Sequence, residues 1–169
     1  KLSMGNPIFF TQLRPGLDGK LFKIIKFRTM KNSLTNEIDT NLDMERTTKL
    51  GAFMRSYSID ELPELLNVLL GDMSLVGPRP LLKEYLSEYS NKQMKRHSVK
   101  PGITGWAQIN GRNTITWEEK FNLDIWYIEN QNLILDLKIL ILTLINVLLK
   151  KNINKTQNIT NTKYKNINK

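Results

Sequence analysis

The chain has 169 residues, a length suited to one domain that buries about two thirds of the surface its unfolded form exposes. It contains no cysteine, which excludes disulfide scaffolds, thiolate nucleophiles, iron–sulfur clusters and cysteine-based zinc sites, so its chemistry rests on oxygen and nitrogen groups. The net charge of +9 would suit nucleic acid, but six lysines and no acid lie from Lys150 onward, and the body before them is nearly balanced.

From the N-terminus, two apolar runs, Ile8-Phe9-Phe10 and Leu21 to Phe27, flank a turn-forming stretch, Arg14-Pro15-Gly16-Leu17-Asp18-Gly19, and predict a β-hairpin within residues 7–28. Residues 31–45 are polar and aperiodic, as in a surface loop, and a helix is expected over about 46–56. Ser58-Ile59-Asp60-Glu61 has the spacing of a capping box and predicts a helix over 58–70, with Pro63 tolerated near its start and Gly71 ending it. A further helix is expected over 81–97, after the Pro78-Arg79-Pro80 turn. Pro101-Gly102-Ile103-Thr104-Gly105-Trp106 is glycine-rich without the lysine and hydroxyl residue that end a phosphate-binding P-loop, and is expected to shape a loop.

Leu133 to Leu149 is the most apolar segment, but Asp136, Lys138 and Asn146 leave it shorter than the roughly 20 apolar residues that span a bilayer, so a core or interfacial helix is expected. Trp106, Trp117 and Trp126 suit either a membrane-interface belt or ordinary packing, and packing is the commoner use. Residues 151–169, rich in asparagine and lysine, have the composition of a disordered tail whose basic charge also suits an anionic membrane surface. These elements together predict an α+β fold: a mostly helical single domain over residues 1–150, with an N-terminal β-hairpin and interfacial amphipathic helices.

Titratable groups suited to catalysis concentrate between Arg55 and Pro80. Asp60 and Glu61 are adjacent acids at an expected helix start, where they either complement the helix dipole or act on substrate: one carboxylate attacks phosphorus while the other handles a proton or positions a metal. Arg55 and Arg79 flank them, and a planar guanidinium grips phosphate oxygens bidentately. His97 is the lone histidine and lies in Lys95-Arg96-His97, far in sequence from any nucleophile, which argues against a histidine-based triad.

Three long stretches, PIFFTQLRPGLDGKLFKIIKFRTM, YSIDELPELLNVLLGDMSLVGPRPLL and RHSVKPGITGWAQINGRN, resemble in order the bacterial sugar transferases known as polyprenyl-phosphate hexose-1-phosphate transferases, the small monotopic phosphoglycosyl transferases. The resemblance runs from about Pro7 to Lys150. It implies that Asp60 attacks a UDP-sugar, releases UMP and holds a phosphosugar until a polyprenyl phosphate takes it, the first step of exopolysaccharide, O-antigen or glycoconjugate assembly. It also implies Mg²⁺ close to Asp60, an assisting Glu61, anion binding by Arg55, Arg79 and Arg112, and lesser roles for Lys26 and Asp124. The implied setting is the membrane surface at the cytoplasmic face of the bacterial inner membrane. No apolar run precedes Pro7, so the family's re-entrant membrane segment is expected to be missing here.

Two other readings compete. A nucleic-acid binder would spread basic residues over its folded body, and the balanced body argues against one. A catalytically idle membrane adaptor would not need the acid pair with its arginines. Neither the sugar nor the oligomeric state is encoded in a recognisable motif.

Overall fold

A computed structural model of the chain describes residues 5–31, 46–111, 114–149 and 164. Strands β1 (Phe9–Pro15) and β2 (Leu21–Phe27) form the expected hairpin, antiparallel with Phe9 opposite Phe27 and Pro15 opposite Leu21. The connecting turn places Asp18 and Gly19 at positive φ. Along β2, Phe22 and Ile24 point inward and pack with Met73, Val68 and Ile103, while Lys23 faces out. Asn67 joins this strand to the next layer. Its side chain accepts from the Ile25 N–H at 3.0 Å and donates to the Lys23 carbonyl at 2.8 Å, so a buried amide completes the strand edge as a neighbouring strand would.

Helix α1 (Lys49–Ser56) is capped by Thr48, whose hydroxyl accepts from the Gly51 N–H at 3.0 Å. The capping box expected at Ser58 does not form. Ser58 sits at φ 53 with no side-chain cap, Ile59–Glu61 make a 3-10 turn, and α2 (Glu64–Leu69) begins only after Pro63. A continuous helix from Ser58 would need an N–H that Pro63 lacks and would drive its ring into the Ile59 carbonyl, so the chain breaks there. The break leaves the two acids in a tight turn rather than on a regular helix.

Strand β3 (Ser74–Val76) pairs in parallel with β4 (Gly102–Thr104), Val76 opposite Thr104. The glycine-rich segment is therefore a strand followed by a short helix, α4 below, rather than a loop alone. The single helix expected over 81–97 is broken into a 3-10 stretch (Lys83–Glu88), α3 (Asn91–Met94) and a 3-10 turn (Lys95–His97). Ser90 restarts the chain there with a capping box to Gln93.

Helix α4 (Trp106–Ile109) follows β4, and α5 (Trp117–Asn130) opens on a capping box between Thr116 and Glu119. Helix α6 (Leu133–Leu148) is capped by Asn132 and buries Ile139 completely against Val76 and Tyr127. The tryptophans pack: Trp106 stacks on Trp126 at 4.8 Å, and Trp117 meets Tyr85 edge-on. Within the segment expected to be disordered, Tyr164 is described. It is buried among Tyr85, Tyr89, Phe121 and Trp117 and donates to Gln93 at 3.0 Å. The fold is the mixed α and β domain that the sequence predicts. Among the described residues no helix is long and apolar enough to cross a membrane.

Candidate active site

Lys26 and Arg79 converge on Glu61 from two other segments. Lys26, near the end of β2, lies 2.9 Å from Glu61 Oε1 and 2.9 Å from Glu64 Oε1. Arg79, held in the Pro78-Arg79-Pro80 turn just beyond β3, forks onto both Glu61 oxygens, with Nη1 3.3 Å from Oε2 and Nη2 in closer contact with Oε1. Burial alone would push the Glu61 carboxyl up, but Arg79 and then Lys26 hold it well below the usual carboxylate range. Glu64, deeper still, is raised by burial despite Lys26 and Arg79.

Asp60 has the opposite surroundings. Among the described residues no side chain forms an ion pair with its carboxylate, and burial followed by the Glu61 charge pushes it above its ordinary value, against the pull of Lys26 and Arg55. Arg55 stands on the last turn of α1 and donates Nε–H to the Thr29 hydroxyl at 2.8 Å. One acid is thus neutralised by two cations, while among the described residues its neighbour forms no ion pair.

Asp124 is placed underneath the cluster rather than in it. It is buried, lies 2.8 Å from Arg96, and Arg96 Nη2 donates to the Arg79 main-chain carbonyl at 2.7 Å. The Asp124–Arg96 pair therefore supports the turn that presents Arg79. Arg112 lies outside the described residues. His97 is buried, donating Nδ1–H to the Gly16 carbonyl at 3.0 Å, and burial together with Arg96 lowers its pKa to about 4. It is a neutral packing residue.

Sequence reasoning did not single out Glu64, Arg96, Arg14 or Gln108. Glu64 stands three residues from Glu61, a spacing that could have revealed it. Arg14 has a buried Nε without a partner; burial and then Arg79 depress its pKa. From Glu61 and Arg79 opens a cavity of about 400 Å³, walled by Leu62, Leu65, Leu75, Ile109, Leu140 and Leu144. Glu61 and Arg79 border a largely hydrocarbon space.

Residues 1–150 match the family model described as bacterial sugar transferase. The chain belongs to the bacterial sugar transferase family. This sugar transferase is 57% identical over 160 residues to the uncharacterized sugar transferase EpsL of Bacillus subtilis (strain 168), a match covering 95% of the chain and 79% of that protein. It is 42% identical to the UDP-glucose:undecaprenyl-phosphate glucose-1-phosphate transferase of Xanthomonas campestris pv. campestris, over 89% of this chain and 34% of that one. It is 38% identical to the undecaprenyl-phosphate galactose phosphotransferase of Salmonella typhimurium, over 82% of this chain and 33% of that one. The sugar transferase thus spans most of the first relative and about a third of the other two.

Proposed function

We propose that the protein transfers a sugar-1-phosphate from a UDP-sugar to a polyprenyl phosphate at a membrane surface, with Asp60 as the covalent nucleophile. The observation that carries this reading is the division of the acid pair: Glu61, which borders an apolar cavity, is paired with Arg79 and Lys26, whereas among the described residues the adjacent Asp60 forms no ion pair. The names of the two undecaprenyl-phosphate enzymes support the substrate classes.

In the first step an Asp60 oxygen bonds to the phosphorus carrying the sugar, and the bond to the bridging oxygen breaks, so UMP leaves with that electron pair. In the second, a lipid phosphate oxygen bonds to the same phosphorus, the Asp60 carboxylate departs, and a polyprenyl diphosphate sugar is formed. Arg79, Arg55 and Lys26 reduce the repulsion between the carboxylate and its anionic target. Because Arg79 and Lys26 hold Glu61 ionised, it organises these cations rather than storing a proton. Arg112 and Asp124 enter as an anion binder and as support for Arg79.

Mg²⁺ fits the donor set. Among the described residues no cluster of three or more histidine, aspartate or glutamate side chains makes a metal cage, but magnesium often takes one or two carboxylates together with substrate phosphates. Asp60 and the donor's phosphate oxygens would hold it, and when bound it would offset the phosphate charge. The reaction would open exopolysaccharide, O-antigen or glycoconjugate assembly on the cytoplasmic side of the membrane. The test is intact-protein mass spectrometry after mixing with UDP-sugars and Mg²⁺ without lipid. A sugar-phosphate mass increase with UMP release is expected, and a mass increase that persists in Asp60→Asn would overturn the assignment.

A further inference from the structure

Lys26 is held from two sides. Its Nζ donates to Glu61 Oε1 at 2.9 Å, and Glu64 Oε1 lies at the same distance from it, off the line of a hydrogen bond. An ammonium carries three N–H groups, and among the described residues one of them has an aligned acceptor, so two are left for phosphate oxygens. The lysine side chain is 18% exposed and within reach of a ligand, whereas that of Glu64 is 1% exposed. Lys26 also acts on Asp60, whose carboxyl it pulls down.

The position of Glu64 follows from α2. Pro63 breaks the chain after the acid pair, Glu64 opens the helix, and Asn67 stands three residues on, along the same face. Asn67 clamps that face to β2 through the Ile25 N–H and the Lys23 carbonyl, which fixes Glu64 beside Lys26. Strand, turn and helix thus each supply one point that defines where the ammonium sits.

Stability does not account for this carboxyl. Burial raises Glu64 even against Lys26 and Arg79, so its charge opposes folding, and an apolar side chain of similar size would cost less. Glu61 alone is a poor anchor for Lys26, because Arg79 already forks onto both its oxygens and a four-carbon stem keeps many rotamers. We infer that Glu64 is a positioning residue: it anchors Lys26 from the buried side and keeps the free N–H groups of the ammonium toward the phosphate that Asp60 attacks. The inference rests on the proposed transfer reaction and adds to it the group that places one of its cations.

The experiment compares Glu64→Gln and Glu64→Asp in the full chain, each alone and combined with Lys26→Met. Glutamine keeps an oxygen at the same reach without the charge, and aspartate keeps the charge but draws it back by one methylene. UMP affinity, read by calorimetry, should be equal or tighter in Glu64→Gln and fall about tenfold in Glu64→Asp, the weight of roughly one charge-assisted hydrogen bond. The KM for UDP-sugar in adduct formation without lipid should follow the same order. In the Lys26→Met background neither substitution should change the affinity further, because the group through which Glu64 acts is gone. Glu64→Gln should melt at or above the parent. An affinity loss in Glu64→Gln as large as in Glu64→Asp, parent-like affinity in Glu64→Asp, a loss that persists beside Lys26→Met, or a lower melting temperature for Glu64→Gln would overturn the inference. The Lys26 ammonium resonance in nitrogen-15 NMR, sharp in the parent and in Glu64→Gln and broadened by exchange with water in Glu64→Asp, reads the anchoring without nucleotide. If the parent binds no UMP and forms no adduct from any UDP-sugar, the reaction assignment fails on its own, and this resonance still decides whether Glu64 anchors Lys26.

Discussion

Asp60 and Glu61 are adjacent in sequence, yet substitution should move stability in opposite directions. The Asp60 carboxyl is raised by burial and by Glu61, so its charged form opposes folding. Stability linked to it is full below its ordinary value of 3.8 and lost as pH rises through its folded value. Asp60→Asn should therefore melt higher than the parent at pH 7, with the gap closing in acid, while adduct formation is abolished; a lower melting temperature at pH 7 would contradict this. Glu61→Gln leaves Arg79 without its anion and Lys26 with Glu64 alone, and should cost roughly 2–4 kcal/mol in denaturant unfolding. The same change frees Arg79, so UMP should bind more tightly to Glu61→Gln by calorimetry even as turnover falls. His97 provides a separate pH signature. Its pKa is lowered from 6.5 to about 4, so its contribution to stability is present above about 6.5 and lost as pH falls toward 4. His97→Asn, which can keep a donor toward Gly16, should flatten that part of the melting-temperature profile, and an unchanged slope between pH 6.5 and 4 would refute it.

At the level of elements, the closeness of β3 and β4 is the constraint that builds the site. A Cβ on Gly102 would collide with the Gly77 nitrogen and the Thr104 carbonyl oxygen, backbone atoms with nowhere to go. Gly102→Ala should destabilise by about 3 kcal/mol, near the upper end of overpacking costs, and lower the melting temperature by about 6–12 °C. A variant that melts like the parent would show that the strands can separate. The hairpin was legible because its alternation and turn residues are local signals. The helix boundary at Ser58 was misjudged because the capping pattern is local, whereas Glu61 answers to Lys26, 35 residues away, and Pro63 forbids a continuous helix. The acid pair and Arg79 could be picked out from the motif. Arg96, whose partner Asp124 lies 28 residues off, and Gln108, defined by an absence of partners, depend on tertiary structure and left no mark in the sequence.

At the level of the whole molecule, the surface beside the cavity is unusually greasy. Leu69, Ile134 and Leu148 are 83%, 80% and 74% exposed, and they belong to α2 and α6, the helices that carry Leu65, Leu140 and Leu144 of the cavity wall. Patches of this kind mark lipid or protein contacts. Ile134→Asn combined with Leu148→Asn should weaken binding to phospholipid vesicles, read by flotation, by about a hundredfold or more, since each side chain buried in lipid contributes about 1.5–3 kcal/mol. Flotation equal to the parent would place the membrane contact elsewhere. At the opposite end of the sequence, Tyr164 lies against Trp117, with ring centroids 5.5 Å apart, in an aromatic cluster whose members Tyr89 and Phe121 also face the Arg96 guanidinium. Seating of Tyr164 therefore has an optical signature: Trp117 emission should move to the red when Tyr164→Ala opens that cluster to water. Because Arg96 also donates to the Arg79 carbonyl, the same shift reports how firmly the Arg79 turn is held.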